Sequence, residues 1–143
     1  FEFLSSNGYA LGTDFIVGHP GETAELWREA MANLHKFPLT HVHAFTYSKR
    51  DGTPSATMKG QVRGDVAKLR YNELVKTIED KNLEFRKNIQ PLNVLIESKK
   101  DGIYTGLDQF FNKVAVQSSV DLVGDWIEIV DYKAEESNNV AIF

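Results

Sequence analysis

A glycine-rich run whose residue types could bind a ligand lies near the start of the chain. Residues 12–23 read G-T-D-F-I-V-G-H-P-G-E-T. Glycine lets a backbone approach a ligand closely, and a turn at the start of a helix leaves backbone N–H groups that can bind one. The run therefore predicts a ligand-binding turn between Gly18 and Glu22. The alternative is a purely structural turn, because a glycine turn between a strand and a helix is common in α/β proteins.

Five further side chains are candidates for chemistry. Asp14 is a charge inside an apolar stretch, so it contacts a ligand or forms a structural ion pair. His41 and His43 stand two residues apart, as in a metal pair on one strand face, but no third ligand is nearby and core histidines are favoured. His19 is favoured as a surface or packing residue. Arg50 either binds an anion or is a solvated loop cation.

The pattern of apolar residues predicts the elements that position these side chains. Residues from Gly12 to Gly18 are β-branched, aromatic or small and predict a strand, and Thr23 is a suitable N-cap for a following helix. His41 to Ser48 predicts a second strand. A strand, a helix and a strand with short links form a right-handed βαβ unit with parallel strands. The carboxyl ends of both strands then meet at one edge, where α/β proteins bind ligands.

Alternation along the predicted strands assigns their side chains to two faces. On the second strand, Val42, Ala44 and Thr46 form a small face that suits packing under helices. The opposite face suits the lumen of a barrel or a ligand crevice. Its residues are His41, His43, Phe45 and Tyr47, and Asp14, Ile16 and Gly18 share one face of the first strand.

The second half of the chain has a different character. A long helix is predicted from Val62 to Lys87, after which the period of the apolar residues falls to two. Short strands are predicted at Leu92–Ser98, Ile103–Leu107, Phe110–Gln117, Trp126–Tyr132 and Val140–Phe143. The pattern predicts an α/β part at residues 1–87 and a small OB-like β-barrel at residues 88–143.

Composition and charge exclude several classes of protein. The 143 residues contain no cysteine, which excludes disulfides, thiolate metal sites and a cysteine nucleophile within them. No run is apolar and long enough for a membrane span and no secretory signal is present, so a cytoplasmic location is expected. Residues 1–87 hold 12 Lys and Arg against 11 Asp and Glu, whereas residues 88–143 hold 4 against 9. The acidic second half does not favour nucleic-acid binding.

Two stretches together resemble a known family. The first is residues 12–23, and the second, from His41 to Met58, reads H-V-H-A-F-T-Y-S-K-R-D-G-T-P-S-A-T-M. They resemble the radical SAM methylthiotransferases, in which D-x-I-x-G-F-P-G-E-T and F-x-Y-S-x-R-x-G-T-x-A lie on the fifth and sixth strands of a partial TIM barrel. The second half is similar to the C-terminal TRAM domain of that family, a small β-barrel. Its matching residues are Gly106, Leu107, Phe111, Val114, Val123, Gly124, Ile127 and Ile129.

The resemblance implies a fold and an activity. Residues 1–87 would be the last two βα units of the radical SAM core, followed by the TRAM domain. The family uses S-adenosylmethionine and two 4Fe–4S clusters, whose cysteine ligands are missing here, so the chain is expected to be an inactive fragment that binds no metal. Arg50 and the residues around His43 resemble the branch that modifies tRNA. Within that branch, H-V-H-A-F-T-Y-S and the later segment G-L-D-Q-F-F-N-K-V are most similar to the enzymes that add a methylthio group to C2 of threonylcarbamoyladenosine at position 37 of the anticodon loop.

The same resemblance implies residue roles. The residues carried over as contacts to S-adenosylmethionine are Asp14, Ile16, Gly18, Gly21, Glu22, Phe45 and Tyr47. Arg50 would bind an anion of the substrate, and no catalytic residue lies in the chain. At His19 the family usually has an apolar aromatic residue. A barrel lacking its other strands has an open edge, so self-association is expected.

Three alternatives stay open. The substrate could be isopentenyladenosine at position 37, which a sibling enzyme of the family modifies. The chain could belong to another radical SAM enzyme, because G-x-P-G-E-T occurs in other members of that superfamily. It could also be a non-catalytic OB-type RNA-binding module, which would require a basic face on the small barrel.

Overall fold

Helices alternate with strands in the first half of the chain, and the second half contains strands alone after the longest helix. In this computed structural model, which describes residues 1–143, the chain divides into two units, Phe1–Lys81 and Asn82–Phe143. The helices are α1 (Glu2–Ser6), α2 (Ala24–Lys36), α3 (Pro54–Thr57) and α4 (Gly64–Lys87). The strands are β1 (Gly12–Val17), β2 (His41–Thr46), β3 (Leu92–Lys100), β4 (Ile103–Asp108), β5 (Lys113–Gln117), β6 (Trp126–Ile129), β7 (Lys133–Ala134) and β8 (Asn139–Ile142).

A parallel two-stranded sheet organises the first unit. β1 pairs with β2, and α2 lies between them in the chain. Phe15 of β1 and Val42 and Ala44 of β2 pack against a buried apolar cluster. The cluster consists of Leu11, Val17, Trp27, Met31, Leu34, Leu39, Leu74 and Ile78. The predicted order of strand, helix and parallel strand is confirmed, and so is the packing of Val42 and Ala44 on the helical side, whereas Thr46, predicted on the same face, is exposed at the end of β2.

The start of α2 follows from its first residues. Thr23 is the N-cap, and its Oγ1 accepts a hydrogen bond from the backbone N–H of Leu26 at 3.2 Å. Glu25 lies in the first turn, where hydrogen bonds from its own backbone N–H and from Thr23 lower the pKa of its carboxyl group. These contacts begin the helix immediately after the glycine turn and fix where that turn ends.

α4 has one buried face with an unexpected member. In the first unit its buried residues are Ala67, Arg70, Leu74 and Ile78, which recur every three or four positions. Arg70 is a cation within this otherwise apolar stripe. None of the helices, including this longest one, combines the length and apolar composition that crossing a membrane requires.

One six-stranded sheet forms most of the second unit. Its strand order is β6-β3-β4-β5-β8-β7, and every pairing is antiparallel except that of β5 with β8. The two edge strands, β6 and β7, lie on the single stretch from Trp126 to Ala134, but β6 pairs with β3 and β7 pairs with β8. The two ends of the sheet are thus held by neighbouring residues, which requires the sheet to curl.

The curled sheet buries a single apolar core on its inner face. The core residues are Leu92, Val94, Ile96, Tyr104, Val114, Val116, Leu122, Ile127, Ile129, Tyr132 and Ala141. Gly106 lies on the same face of β4, and a Cβ there would stand 2.0 Å from the backbone oxygen of Leu95. Only glycine therefore allows β3 and β4 to approach this closely.

The strand predicted at Phe110–Gln117 is too long. β5 begins only at Lys113, because the preceding residues form a turn around Asp108. Asp108 Oδ1 accepts hydrogen bonds from the backbone N–H groups of Phe110 and Asn112, both at 2.8 Å, and Phe111 has a φ of 63°. An aspartate that binds backbone N–H groups two and four residues ahead favours a turn over a strand.

A buried arginine joins the last turn of α4 to the strands of the second unit. Arg86 donates to Asn82 Oδ1 at 2.7 Å, to Asn139 Oδ1 at 3.1 Å and to the backbone oxygen of Glu136 at 3.0 Å. Burial lowers the pKa of Arg86, while the Asp108 carboxylate opposes that shift. These bonds explain why the end of α4 groups with the second unit rather than with the first.

Candidate functional site

An exposed, partly apolar face lies on the side of β1 and β2 away from the helices. The parallel register places Asp14 beside His43 and Ile16 beside Phe45. Ile16 is 54% exposed and Phe45 is 55% exposed, although both belong to a sheet with a packed opposite face. We call Asp14, Ile16, His43 and Phe45 the open face. The predicted alternation, with these residues opposite the helical side, is confirmed.

The turn that follows β1 depends on two glycines. Gly18 has a φ of 79° and Gly21 a φ of 90°, both in the left-handed region. A Cβ on Gly18 would also lie 2.9 Å from the Cβ of Ala67 on α4. Gly18 is therefore required both for the backbone conformation and for close packing of the turn on α4.

The expectation that this turn offers bare N–H groups is wrong for three of its residues. The N–H of Gly18 donates to Glu22 Oε2 at 3.0 Å. The N–H of Gly21 donates to the backbone oxygen of Gly60 at 2.9 Å, and that of Glu22 to the backbone oxygen of His19 at 3.0 Å. The chain itself satisfies these donors, so they do not form a free anion-binding cradle.

Glu22 is held by a residue that sequence reasoning missed. Arg70 Nη1 donates to Glu22 Oε1 at 2.6 Å and to the backbone oxygen of Glu22 at 3.1 Å. The side chains of Arg70 and Glu22 are only 10% and 14% exposed. The only available signal was a cation on the apolar stripe of α4, and nothing in the sequence links it to a carboxylate 48 residues earlier.

A second cluster lies at the end of β2. His19 Nδ1 is 3.0 Å from the backbone oxygen of Pro20, and its Nε2 is 3.0 Å from Ser55 Oγ. A carbonyl oxygen only accepts, so Nδ1 carries a proton and, in the neutral ring, Nε2 accepts from the Ser55 hydroxyl. The His19 ring also meets the Tyr47 ring edge to face at 5.2 Å, and the Tyr47 hydroxyl is buried without a hydrogen-bond partner. His19 is therefore a hydrogen-bonded packing residue, within its predicted class.

Arg50 lies in an exposed loop after β2. Its backbone oxygen accepts hydrogen bonds from the N–H and the hydroxyl of Thr53, at 3.3 Å and 2.7 Å, which close the loop. The Arg50 guanidinium forms no salt bridge with an Asp or Glu of the chain. The structure thus fixes the backbone of this loop and leaves the cation available to a partner.

The two strand histidines do not form a metal site. No group of three or more His, Cys, Asp or Glu side chains in residues 1–143 is arranged to hold a metal ion. His41 Nδ1 lies 2.8 Å from the hydroxyl of Thr40, whereas His43 is exposed on the open face. The interpretation of His43 as a core histidine is wrong, because no layer of this chain covers that side of β2.

The open face fits part of a S-adenosylmethionine molecule. Ile16 and Phe45 are adjacent, exposed apolar side chains of the kind that flank an adenine ring, and Asp14 carries an exposed carboxylate that forms no salt bridge within the chain. The Glu22 carboxylate is a poor fit as an acceptor of ribose hydroxyl groups, because its side chain is only 14% exposed and both oxygens already accept hydrogen bonds within the chain. An iron–sulfur cluster does not fit these residues, because the chain has no cysteine.

Comparison with known proteins identifies the relatives of the chain. A protein of Helicobacter pylori named "Putative methylthiotransferase" is 43% identical over 99% of this chain, which spans 35% of that protein. The chain matches a segment of the methylthiotransferases. The predicted resemblance to the methylthiotransferases is therefore confirmed. No family model matches the chain.

Two other relatives carry more specific names. The threonylcarbamoyladenosine tRNA methylthiotransferase of Bacillus subtilis is 28% identical over 89% of this chain, which spans 30% of that protein. The ribosomal protein uS12 methylthiotransferase of Desulforamulus reducens is 34% identical over 72% of the chain, which spans 24% of it. The chain therefore spans about a third or less of the length of these methylthiotransferase relatives, and the last two are named for different substrates.

Proposed function

We propose that the chain is the C-terminal part of a radical SAM methylthiotransferase that modifies tRNA. The substrate we favour is threonylcarbamoyladenosine at position 37 of the anticodon loop, with the methylthio group added to C2. The open face is the observation that carries the proposal. A sheet face with two half-exposed apolar side chains beside a glycine turn is what an adenine-binding wall requires.

Three of the four residues of the open face would have a physical role. Ile16 and Phe45 would hold the adenine ring of S-adenosylmethionine and exclude water from it, and Asp14 would accept hydrogen bonds from ribose hydroxyls. When bound to an iron–sulfur cluster, S-adenosylmethionine supplies the radical chemistry of the family. The cysteines that bind the cluster would come from residues outside this chain.

The remaining predicted contacts would act by shape. Gly18 lets the turn approach closely, and Gly21 would bound the site. Tyr47 presents its ring beside His19, so it would line the end of the adenine pocket. Glu22 would hold the turn in place rather than contact the ligand, because its oxygens accept hydrogen bonds from Gly18 and Arg70.

The second unit would be the TRAM domain. Its support is the pairing of one stretch, residues 126–134, with β3 at its start and β8 at its end, together with the parallel pairing of β5 and β8. A small barrel of OB type needs a strand that pairs with both ends of the sheet in this way. The proposed domain division lies near residues 87 and 88, and the enzyme would be cytoplasmic.

Binding and activity measurements on the intact enzyme test the proposal. Phe45→Ala should weaken binding of S-adenosylmethionine by about tenfold, because it removes apolar contact area from the adenine. Leu26→Ala is the matched control, since Leu26 is equally exposed but lies on α2. Mass spectrometry of tRNA digests should show methylthio-threonylcarbamoyladenosine. Equal affinities for both variants, or tRNA that stays unmodified, would contradict the proposal.

A second candidate is favoured by charge. Residues 88–143 carry 4 Lys and Arg against 9 Asp and Glu, which suits a basic protein substrate better than tRNA. The Desulforamulus reducens relative is named for a protein substrate, ribosomal protein uS12. Parallel assays of the intact enzyme with tRNA and with a basic ribosomal protein separate the two. Methylthiolation of the protein alone would replace the tRNA proposal.

The less specific alternatives make different predictions. Isopentenyladenosine as the substrate would give the corresponding methylthio nucleoside in the same digest. Another radical SAM enzyme would bind S-adenosylmethionine without transferring a methylthio group. A non-catalytic RNA-binding module of OB type would bind RNA and show no response to S-adenosylmethionine, and the acidic balance of the second unit does not support it.

A further inference from the structure

The turn between β1 and α2 contains its own anion. Glu22 Oε2 accepts the Gly18 N–H at 3.0 Å, so a side-chain carboxylate occupies the position that a bound anion would take at such a turn. Gly18 immediately follows β1, which carries Ile16 of the open face. The position of this carboxylate therefore affects the end of the strand that faces the proposed ligand.

Arg70 determines where that carboxylate lies. Its Nη1 contacts both the carboxylate and the backbone oxygen of Glu22, at 2.6 Å and 3.1 Å. One guanidinium nitrogen thus fixes the side chain and the main chain of the same residue. The pair is largely buried, so Glu22 without Arg70 would be an uncompensated charge and would turn toward water.

Arg70 is itself held in place by α2. Its guanidinium lies over the Trp27 ring, 5.7 Å from the centroid. The Trp27 Nε1–H in turn donates to Glu73 Oε2 at 2.7 Å. Trp27 of α2 therefore contacts the same guanidinium that binds Glu22, and Glu73 of α4 holds the Trp27 ring.

We infer that Arg70 is a positioning residue: it holds the Glu22 carboxylate on the Gly18 N–H and thereby fixes the ligand-facing end of β1. The effect on the turn follows from the geometry alone. The consequence for binding of S-adenosylmethionine rests on the proposed function.

Hydrogen exchange in the intact protein tests the inference. In Arg70→Met, amide exchange in the peptide containing residues 18–22 should become faster by about tenfold, because the turn loses a charge-assisted bond. Lys68→Met, an exposed cation of the same helix, is the control and should leave this exchange unchanged. A folded Arg70→Met protein with wild-type exchange in the turn would overturn the inference.

A charge-neutral double variant separates positioning from simple packing. In Glu22→Gln with Arg70→Met, the Gln amide oxygen can still accept from Gly18 without leaving a charge buried alone, so this variant should fold even if Arg70→Met does not. Exchange in the turn should return to within about threefold of wild type. If both variants fold, exchange in the double variant as fast as in Arg70→Met would show that Arg70 does not act through Glu22. If only the double variant folds, exchange more than about tenfold faster than in wild type would show the same.

Calorimetric titration with S-adenosylmethionine distinguishes this inference from the proposed function. The affinity of Arg70→Met should fall by about tenfold, and the double variant should recover most of it. If turn exchange responds as expected but the affinity of every variant equals that of wild type, Arg70 positions the turn and the proposed cofactor site is wrong.

Discussion

At the scale of single residues, Gly18 is the position in the candidate site that tolerates the least change. Gly18→Ala should lower the free energy of unfolding of the first unit by about 3 kcal/mol, because the methyl group strains a positive φ and overlaps Ala67. Gly21→Ala should cost only about 1 kcal/mol, since it adds strain without a contact. Urea unfolding measures both. Adding Ala67→Gly should restore part of the loss at Gly18 only, and equal losses in the two single variants would refute the packing argument.

Arg50 should act on the substrate rather than on general tRNA affinity. In the intact enzyme, Arg50→Ala should lower the rate of modification by at least about tenfold, because a charge-assisted bond to the carboxylate of threonylcarbamoyladenosine is lost. Arg50→Lys should rescue poorly, since an ammonium group lacks the planar fork. Lys49→Ala is the control, being the neighbouring exposed cation.

A salt series distinguishes the possible anions bound by Arg50. A phosphate contact would change the salt slope of tRNA binding by about one unit. A carboxylate contact would leave that slope unchanged while the modification rate falls. Full modification by Arg50→Ala would show that Arg50 is a solvated loop cation.

Local chemistry predicted some residues of the site and could not predict others. Alternation along β1 and β2 correctly placed Ile16 and Phe45 opposite the helices, because side-chain direction in a strand is fixed by position. The role of Glu22 as the internal partner of Gly18 was not predictable, because it depends on Arg70 from a distant helix. A cation on the apolar stripe of a helix indicates that it is buried, but the sequence does not identify the distant carboxylate that pairs with it.

At the scale of elements, the last turn of α4 depends on Arg86. Arg86→Met should lower the free energy of unfolding of the second unit by about 3 kcal/mol, because Asn82 and Asn139 lose a buried donor. Lys87→Ala removes only an exposed ion pair with Glu84 and should cost less than about 0.5 kcal/mol. Circular dichroism during urea unfolding measures both variants. Similar midpoints for the two would contradict a structural role for the buried network.

Periodicity located the elements but not all of their ends. The long helix and the strands of the second unit exist close to their predicted positions, because period and turn residues are strong local signals. The start of β5 was missed, since Asp108 binds N–H groups that a strand would otherwise use. The strand predicted at Trp126–Tyr132 ends at Ile129, and a separate strand, β7, begins at Lys133. This break was missed because β6 and β7 pair with two different strands.

At the scale of the whole molecule, the isolated 143-residue chain should self-associate. The open face exposes Ile16 and Phe45 on a two-stranded sheet with unpaired edges, and such surfaces bind one another. Sedimentation velocity over a range of concentrations should show dimers or larger species. Replacing Phe45 with Ser should reduce association, whereas Leu26→Ser on α2 should not. A monomer at every concentration would count against an exposed sheet face.

The different environments of Trp27 and Trp126 allow intrinsic tryptophan fluorescence to distinguish the two units. The two tryptophans of the sequence fall one in each unit, Trp27 being 6% exposed and Trp126 68% exposed. Iodide should therefore quench the red-shifted emission of Trp126 and leave a blue-shifted component from Trp27. During denaturation, a red shift of that protected component would report the opening of the first unit alone. Trp126→Phe isolates this signal, and uniform quenching of both indoles in the native chain would contradict the assignment.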